Sequence, residues 1–141
     1  MTVVLESLGY AAAYALLGVV LLVIGFVALD VLTPGHLASH IWREQSVNAG
    51  IVLSAGFLAQ GGIVFSAIWF YGAAGFGLAF LSTAIFGLLG VLMQALAFLL
   101  IELATPHKMG EVVTQVPFHP ASLVIAAAQI AVSLAVVASL A

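Results

Sequence analysis

Residues 8–29 form a run of 22 positions without one charged side chain. At about 1.5 Å per residue, a helix of that length covers about 33 Å, enough to cross the roughly 30 Å hydrocarbon core of a bilayer. Comparable uncharged runs follow at 47–70, 76–101 and 121–140. A segment in lipid must satisfy its backbone hydrogen bonds internally, which leaves helices or a closed barrel. The short alternating segments of a barrel are absent. With 65% hydrophobic and 5% charged residues, against about 25% charged in a soluble domain, the chain cannot cover a water-facing globule. The sequence predicts an all-α integral membrane protein with four transmembrane helices.

Composition removes several function classes. Without cysteine there is no disulfide framework, thiol nucleophile or thiolate metal site. A formal net charge of −3 with two basic residues argues against nucleic acid or polybasic lipid recognition. The opening stretch, Met1 to Glu6, lacks the basic region of a secretory signal, so the first apolar run reads as retained.

The organising stretch is Asp30-Val-Leu-Thr-Pro34, whose form returns 72 positions later as Glu102-Leu-Ala-Thr-Pro106. At the same shift Leu16-Leu-Gly-Val19 falls on Leu88-Leu-Gly-Val91 and Phe26 on Phe98, while Ala49, Val52, Ala55 and Val64 fall on Ala121, Val124, Ala127 and Val136. Apolar matches between membrane helices are cheap. The acid and Thr-Pro matches are not, because those residues are rare here. The chain therefore reads as two tandem helical hairpin repeats, 1–72 and 73–141, in a single membrane domain. Each repeat holds an even number of spans, so both insert in the same orientation, related by an axis along the membrane normal. Connectors 30–46 and 102–119 then share one side, and the termini and the 71–75 turn share the other. Arg43 and Lys108 both lie on the connector side, which the positive-inside rule makes cytoplasmic with the termini outside. Trp69, Phe70 and Tyr71 fall where an interfacial aromatic belt is expected.

In the first connector, Thr33 can cap a short helix with Pro34 at its first position, with Leu37 and Ile41 on one stripe. His36, His40 and Glu44, also four apart, would form a second stripe able to hold a metal ion. The second connector does not repeat it, and ordinary headgroup-level polar residues are the simpler explanation. Asp30 and Glu102 sit against the negative ends of helix dipoles and should need compensation. Each marks where its helix leaves the bilayer and accepts hydrogen bonds from the Thr-Pro turn, or the two approach each other and share a proton or cation, or they serve as catalytic acid or base. Gln60, Gln94 and Gln129 lie deep within spans, where an unpartnered carboxamide is costly, so they should face the bundle interior. The small residues Gly50, Ser54, Gly61, Gly62 and Ser66 favour close helix approach, and the glycine pair beside Gln60 can loosen span two. No phosphate loop, nucleophile motif or dinucleotide fingerprint is present.

An acid ending the first span, then Leu-Thr-Pro, then Asn48-Ala-Gly50 opening a span with Gly56 and Gln60-Gly-Gly62, resembles the YjfL-like family of small bacterial inner-membrane proteins, a domain of unknown function. The resemblance covers essentially the whole chain. It implies a multi-pass protein of the bacterial inner membrane with a two-fold repeated four-helix fold. It also implies membership of a multi-protein system, but no activity. The functional expectation is a non-enzymatic subunit or scaffold without a cofactor, a homo-oligomer or part of a larger membrane complex, whose connector face docks a partner through Trp42 and Arg43. The alternatives are a channel or transporter component using Asp30 and Glu102, and a membrane enzyme with its metal at His36, His40 and Glu44.

Overall fold

The computed structural model describes residues 2–105 and 108–141. Pro106, half of the second Thr-Pro pair, lies outside the described residues. Among the described residues the chain is helical, with no strand: α1 (Thr2–Leu32), α2 (Leu37–Trp42), α3 (Val47–Tyr71), a 3-10 turn (Gly72–Ala74), α4 (Phe76–Ala104), α5 (Met109–Thr114) and α6 (Ala121–Ala138). Four of these helices, α1, α3, α4 and α6, are long and apolar enough to span a membrane. Their ends follow from local chemistry. After α1, the Thr33 hydroxyl donates back to Leu29 O (2.8 Å), and Pro34 has no N–H to continue the ladder. Gly35 then turns the chain at φ +84°, a conformation that disfavours any side chain.

This turn corrects one expectation. Thr33 does not cap a helix beginning at Pro34: the helix starts at Leu37, and His36 is extended (φ −106°, ψ 115°). The Pro-Gly turn consumes the residues assigned to the first helical turn. Pro120 stands one place before α6. The Gly61-Gly62 pair leaves α3 unbroken from Val47 to Tyr71, because backbone groups in lipid have no better partner than the helix itself.

α3 and α4 pack along the short diagonal of the bundle, with α1 and α6 each packed against both of them. Tyr10 stacks on Phe76 (centroids 4.4 Å apart) and Tyr14 meets Phe80 (5.8 Å), and Gly25 faces Val91. These pairs share a separation of 66 residues, so α1 and α4 run parallel. Positions 72 apart are consequently staggered by six residues, about 9 Å of helix rise. Lipid tails are as apolar as leucine, so close backbone approach and interhelical hydrogen bonds hold such helices together. Gly87 and Gly90 provide that approach on α4: a Cβ at Gly87 would fall on Leu21, and one at Gly90 would lie 2.5 Å from Ile63 Cδ1.

The apolar core is densest at the connector end. Leu29 of α1, Leu37 of α2, Val52 and Leu53 of α3, Phe98 of α4, Met109 and Val113 of α5 and Ile125 of α6 form one buried cluster. Both short connector helices are therefore packed onto the ends of the spans.

Candidate functional site

Three layers of polar side chains run from the bundle interior to the connector surface. The deepest joins α3 to α4. The Gln60 amide donates to Gly87 O (2.9 Å), and the Gln94 amide donates to Gln60 Oε1 (3.2 Å). Ser133 of α6 donates to Ala59 O (2.7 Å). Gln129, 1% exposed, lies against Gly56, where a Cβ would stand 3.0 Å from its Oε1. Neither polar atom of the Gln129 carboxamide has a hydrogen-bond partner among the described residues. Two of the three glutamines thus lock each other while the third is left without a donor or acceptor.

The second layer fastens the start of α3 to the second connector. Asn48 is fully buried. Its Nδ2 donates to Gln115 O (2.9 Å) and Pro117 O (2.8 Å), and its Oδ1 accepts from the His119 N–H (2.8 Å). Two carbonyls on one side and an N–H on the other fix the amide orientation. The Ser46 hydroxyl stands 3.0 Å from Val113 O and 2.7 Å from Gln115 O, and accepts the Ala49 N–H as the cap of α3. Gly110 brings the second connector against the first, since a Cβ there would lie 2.5 Å from Pro34 Cδ. In the sequence Asn48 stands out only as part of the Asn48-Ala-Gly50 motif. Its one local signal is a poor helix former just inside a helix start.

The third layer carries the charged candidates. Asp30 Oδ1 accepts the Leu37 N–H (2.6 Å), which ties the end of α1 to the start of α2, and its Oδ2 stands 3.8 Å from His36 Nδ1. Glu102 is half-buried in the last turn of α4, and the stagger of the two helices sets it about 9 Å beyond Asp30 towards the connector side. His40 has Nδ1 2.7 Å from Glu44 Oε2 and Nε2 3.1 Å from Pro34 O, so both ring nitrogens are committed. His36 stands outside α2 with its side chain exposed. The structure thus brings His40 and Glu44 together and sends His36 towards Asp30. Among the described residues no three His, Cys, Asp or Glu side chains converge as a metal set. Trp42 closes α2 at 71% exposure, beside exposed Arg43.

A cavity of about 350 Å³ opens where α4 ends and α6 begins. Lys108, Glu111, Gln115 and His119 supply its polar rim, and Met109 and Val112 of α5 its apolar wall.

The sequence profile of the family described as Domain of Unknown Function (DUF350) matches residues 3–140. The chain belongs to that family. It is similar to a UPF0719 transmembrane protein of Mycolicibacterium paratuberculosis, 33% identical over 120 residues that cover 84% of this chain and 78% of that protein. It is also similar to a UPF0719 transmembrane protein of Mycobacterium bovis, 26% identical over 142 aligned positions covering 99% of this chain and 91% of that one. No solved structure matches it. This DUF350 chain, with four apolar helices, is a multi-pass membrane protein, the family anticipated from the acid, Thr-Pro and Asn48-Ala-Gly50 motifs.

Proposed function

We propose that this DUF350 protein is a non-catalytic membrane subunit that holds a partner at its connector face. The observation that carries the reading is Trp42, 71% exposed on a helix that is itself held in place. α2 is anchored by buried Leu37, by the Asp30 bond to its first N–H and by His40 clamped between Glu44 and Pro34. A large aromatic side chain next to a guanidinium, presented on a rigid element, has the composition of an interface hot spot and loses little entropy on binding. The bonded Gln60–Gln94 pair favours a packed subunit over a conducting one.

Further support bears on arrangement. The ends of α1 and α4, at Leu32 and Ala104, and the limits of α2 and α5 coincide at a 72-residue shift. The Thr33 to Leu29 and Thr105 to Ile101 hydrogen bonds do the same. These coincidences favour two tandem hairpins of common origin. On the outer face between α3 and α6, Gly50 has open space where its Cβ would be, and with Ser54 and Leu58 it lines a groove that suits a further helix of an oligomer or complex. Arg43 and Lys108 favour the connector side as the cytoplasmic face of a bacterial inner membrane.

Affinity recovery of the tagged full chain from gently solubilised membranes tests the docking. Trp42→Ala or Arg43→Ala should reduce co-recovered partner about tenfold, the scale of losing a hot-spot contact, with membrane insertion unchanged. Unchanged recovery in both variants would exclude this face. Orientation is tested separately, because the chain has no native cysteine. In intact cells an impermeant maleimide should label Ser7→Cys, and should reach Glu44→Cys only after lysis. The reverse pattern would invert the topology.

A further inference from the structure

The cavity at the second connector lies at a defined depth. α6 has 18 residues, about 27 Å of helix, close to the hydrocarbon thickness alone. Its first residue, Ala121, therefore marks the boundary where acyl chains give way to headgroups, and Ala121 lines the cavity. The surrounding surface is apolar and outward: Leu103 on α4 is 75% exposed, and Val116 and Phe118 in the connector are each 53% exposed. Into this surface the cavity sets, among its described lining residues, one cation and one anion. Lys108 and Glu111 both line it, both are exposed, and among the described residues they form no ion pair with each other.

His119 adds a donor. Its Nδ1 accepts the Ala121 N–H (3.2 Å), so the neutral ring carries its proton on Nε2. The rim thus offers an ammonium and an imidazole N–H for an anion, and a carboxylate for a cation. Met109 and Val112 give the same cavity an apolar wall. Opposite charges in one cavity at the headgroup level match a zwitterion with its two charges a short link apart, attached to an apolar body.

We infer that this cavity binds the headgroup of a zwitterionic aminophospholipid, phosphatidylethanolamine in type, with the phosphate on Lys108 and His119 and the primary ammonium on Glu111. A primary ammonium donates hydrogen bonds to a carboxylate, which strengthens the contact. A quaternary choline cannot donate, and a glycerol headgroup brings no cation for Glu111. The site should therefore rank ethanolamine above choline and glycerol lipids.

The test uses the purified full chain and native mass spectrometry, with phosphatidylethanolamine, phosphatidylcholine and phosphatidylglycerol of identical acyl chains. The expected result is about tenfold preferential retention of the ethanolamine lipid over the other two. In Glu111→Gln the preference over choline should vanish while phosphate-dependent retention remains. In Lys108→Gln all three lipids should be retained about tenfold less. Both positions are exposed, so neither change threatens folding. Equal retention of the three lipids by the unaltered chain, or an unchanged preference in Glu111→Gln, would overturn the assignment. Equal binding of soluble phosphoethanolamine would overturn the lipid as the source, since the apolar wall would then contribute nothing.

Discussion

Asn48→Ala is expected to cost about 2–3 kcal/mol of stability, because it removes three hydrogen bonds made by a fully buried side chain. The Pro117 carbonyl and the His119 N–H would lose their Asn48 partner, while Gln115 O would keep the Ser46 hydroxyl. Asn48→Asp keeps the volume and the acceptor but cannot donate. Its carboxylate would face two carbonyl oxygens, so the loss should be at least as large as for alanine. Ser46→Ala should lose less, about 1 kcal/mol, since its one proton is shared between two carbonyls. Unfolding of the purified chain in mixed micelles by increasing fractions of denaturing detergent measures all three. The connector should loosen first, so proteolysis between Gln115 and Pro120 should accelerate in the Asn48 variants before the spans unfold. Asn48→Asp as stable as the unaltered chain would mean that the clamp carries no energy.

That clamp was the least legible part of the sequence, for a physical reason. Asn48 and its partners are separated by 67 to 71 residues, and no local pattern reports a contact made only after the spans have packed. The four spans were legible because hydropathy alone forces them. The stripe of Leu37 and Ile41 was legible because helical spacing is local: Leu37 is fully buried and Ile41 packs against the core. The stripe of His36, His40 and Glu44 carried the same spacing, but α2 covers only Leu37–Trp42. Gly35, directly after Pro34, was the available signal that the helix starts late. Asp30 was legible as a residue needing compensation, and the compensating group is a backbone N–H seven residues on. The 66-residue register of α1 on α4 could not be read from residue matches 72 positions apart, since it depends on which small residues allow close approach. Gly87 and Gly90 set that distance, and their partners Leu21 and Ile63 belong to other helices.

Gln60→Met and Gln129→Met should have opposite signs. The two side chains are equally buried, 2% and 1% exposed, and both are carboxamides in a lipid-embedded interior. They differ in their partners. Gln60 donates to Gly87 O and accepts from Gln94, so methionine there removes two interhelical bonds and orphans the Gln94 amide. Interhelical hydrogen bonds in membranes average about 0.6 kcal/mol with a maximum near 1.7, and an orphaned buried amide adds about 1 kcal/mol or more. The expected loss is about 2 kcal/mol. Gln129 has no hydrogen-bond partner among the described residues, so methionine, similar in length and flexible enough to fill the same space, removes a desolvation cost without breaking a bond. The expected gain is about 1 kcal/mol, a difference of about 3 kcal/mol between two equally buried positions. Detergent-denaturation midpoints of the two variants decide it. A loss at Gln129 as large as that at Gln60 would require that its carboxamide bond to a trapped water or solute. The interior beside Gly56 would then be a hydrated site, and a conducting or transporting role would regain ground over a packed subunit.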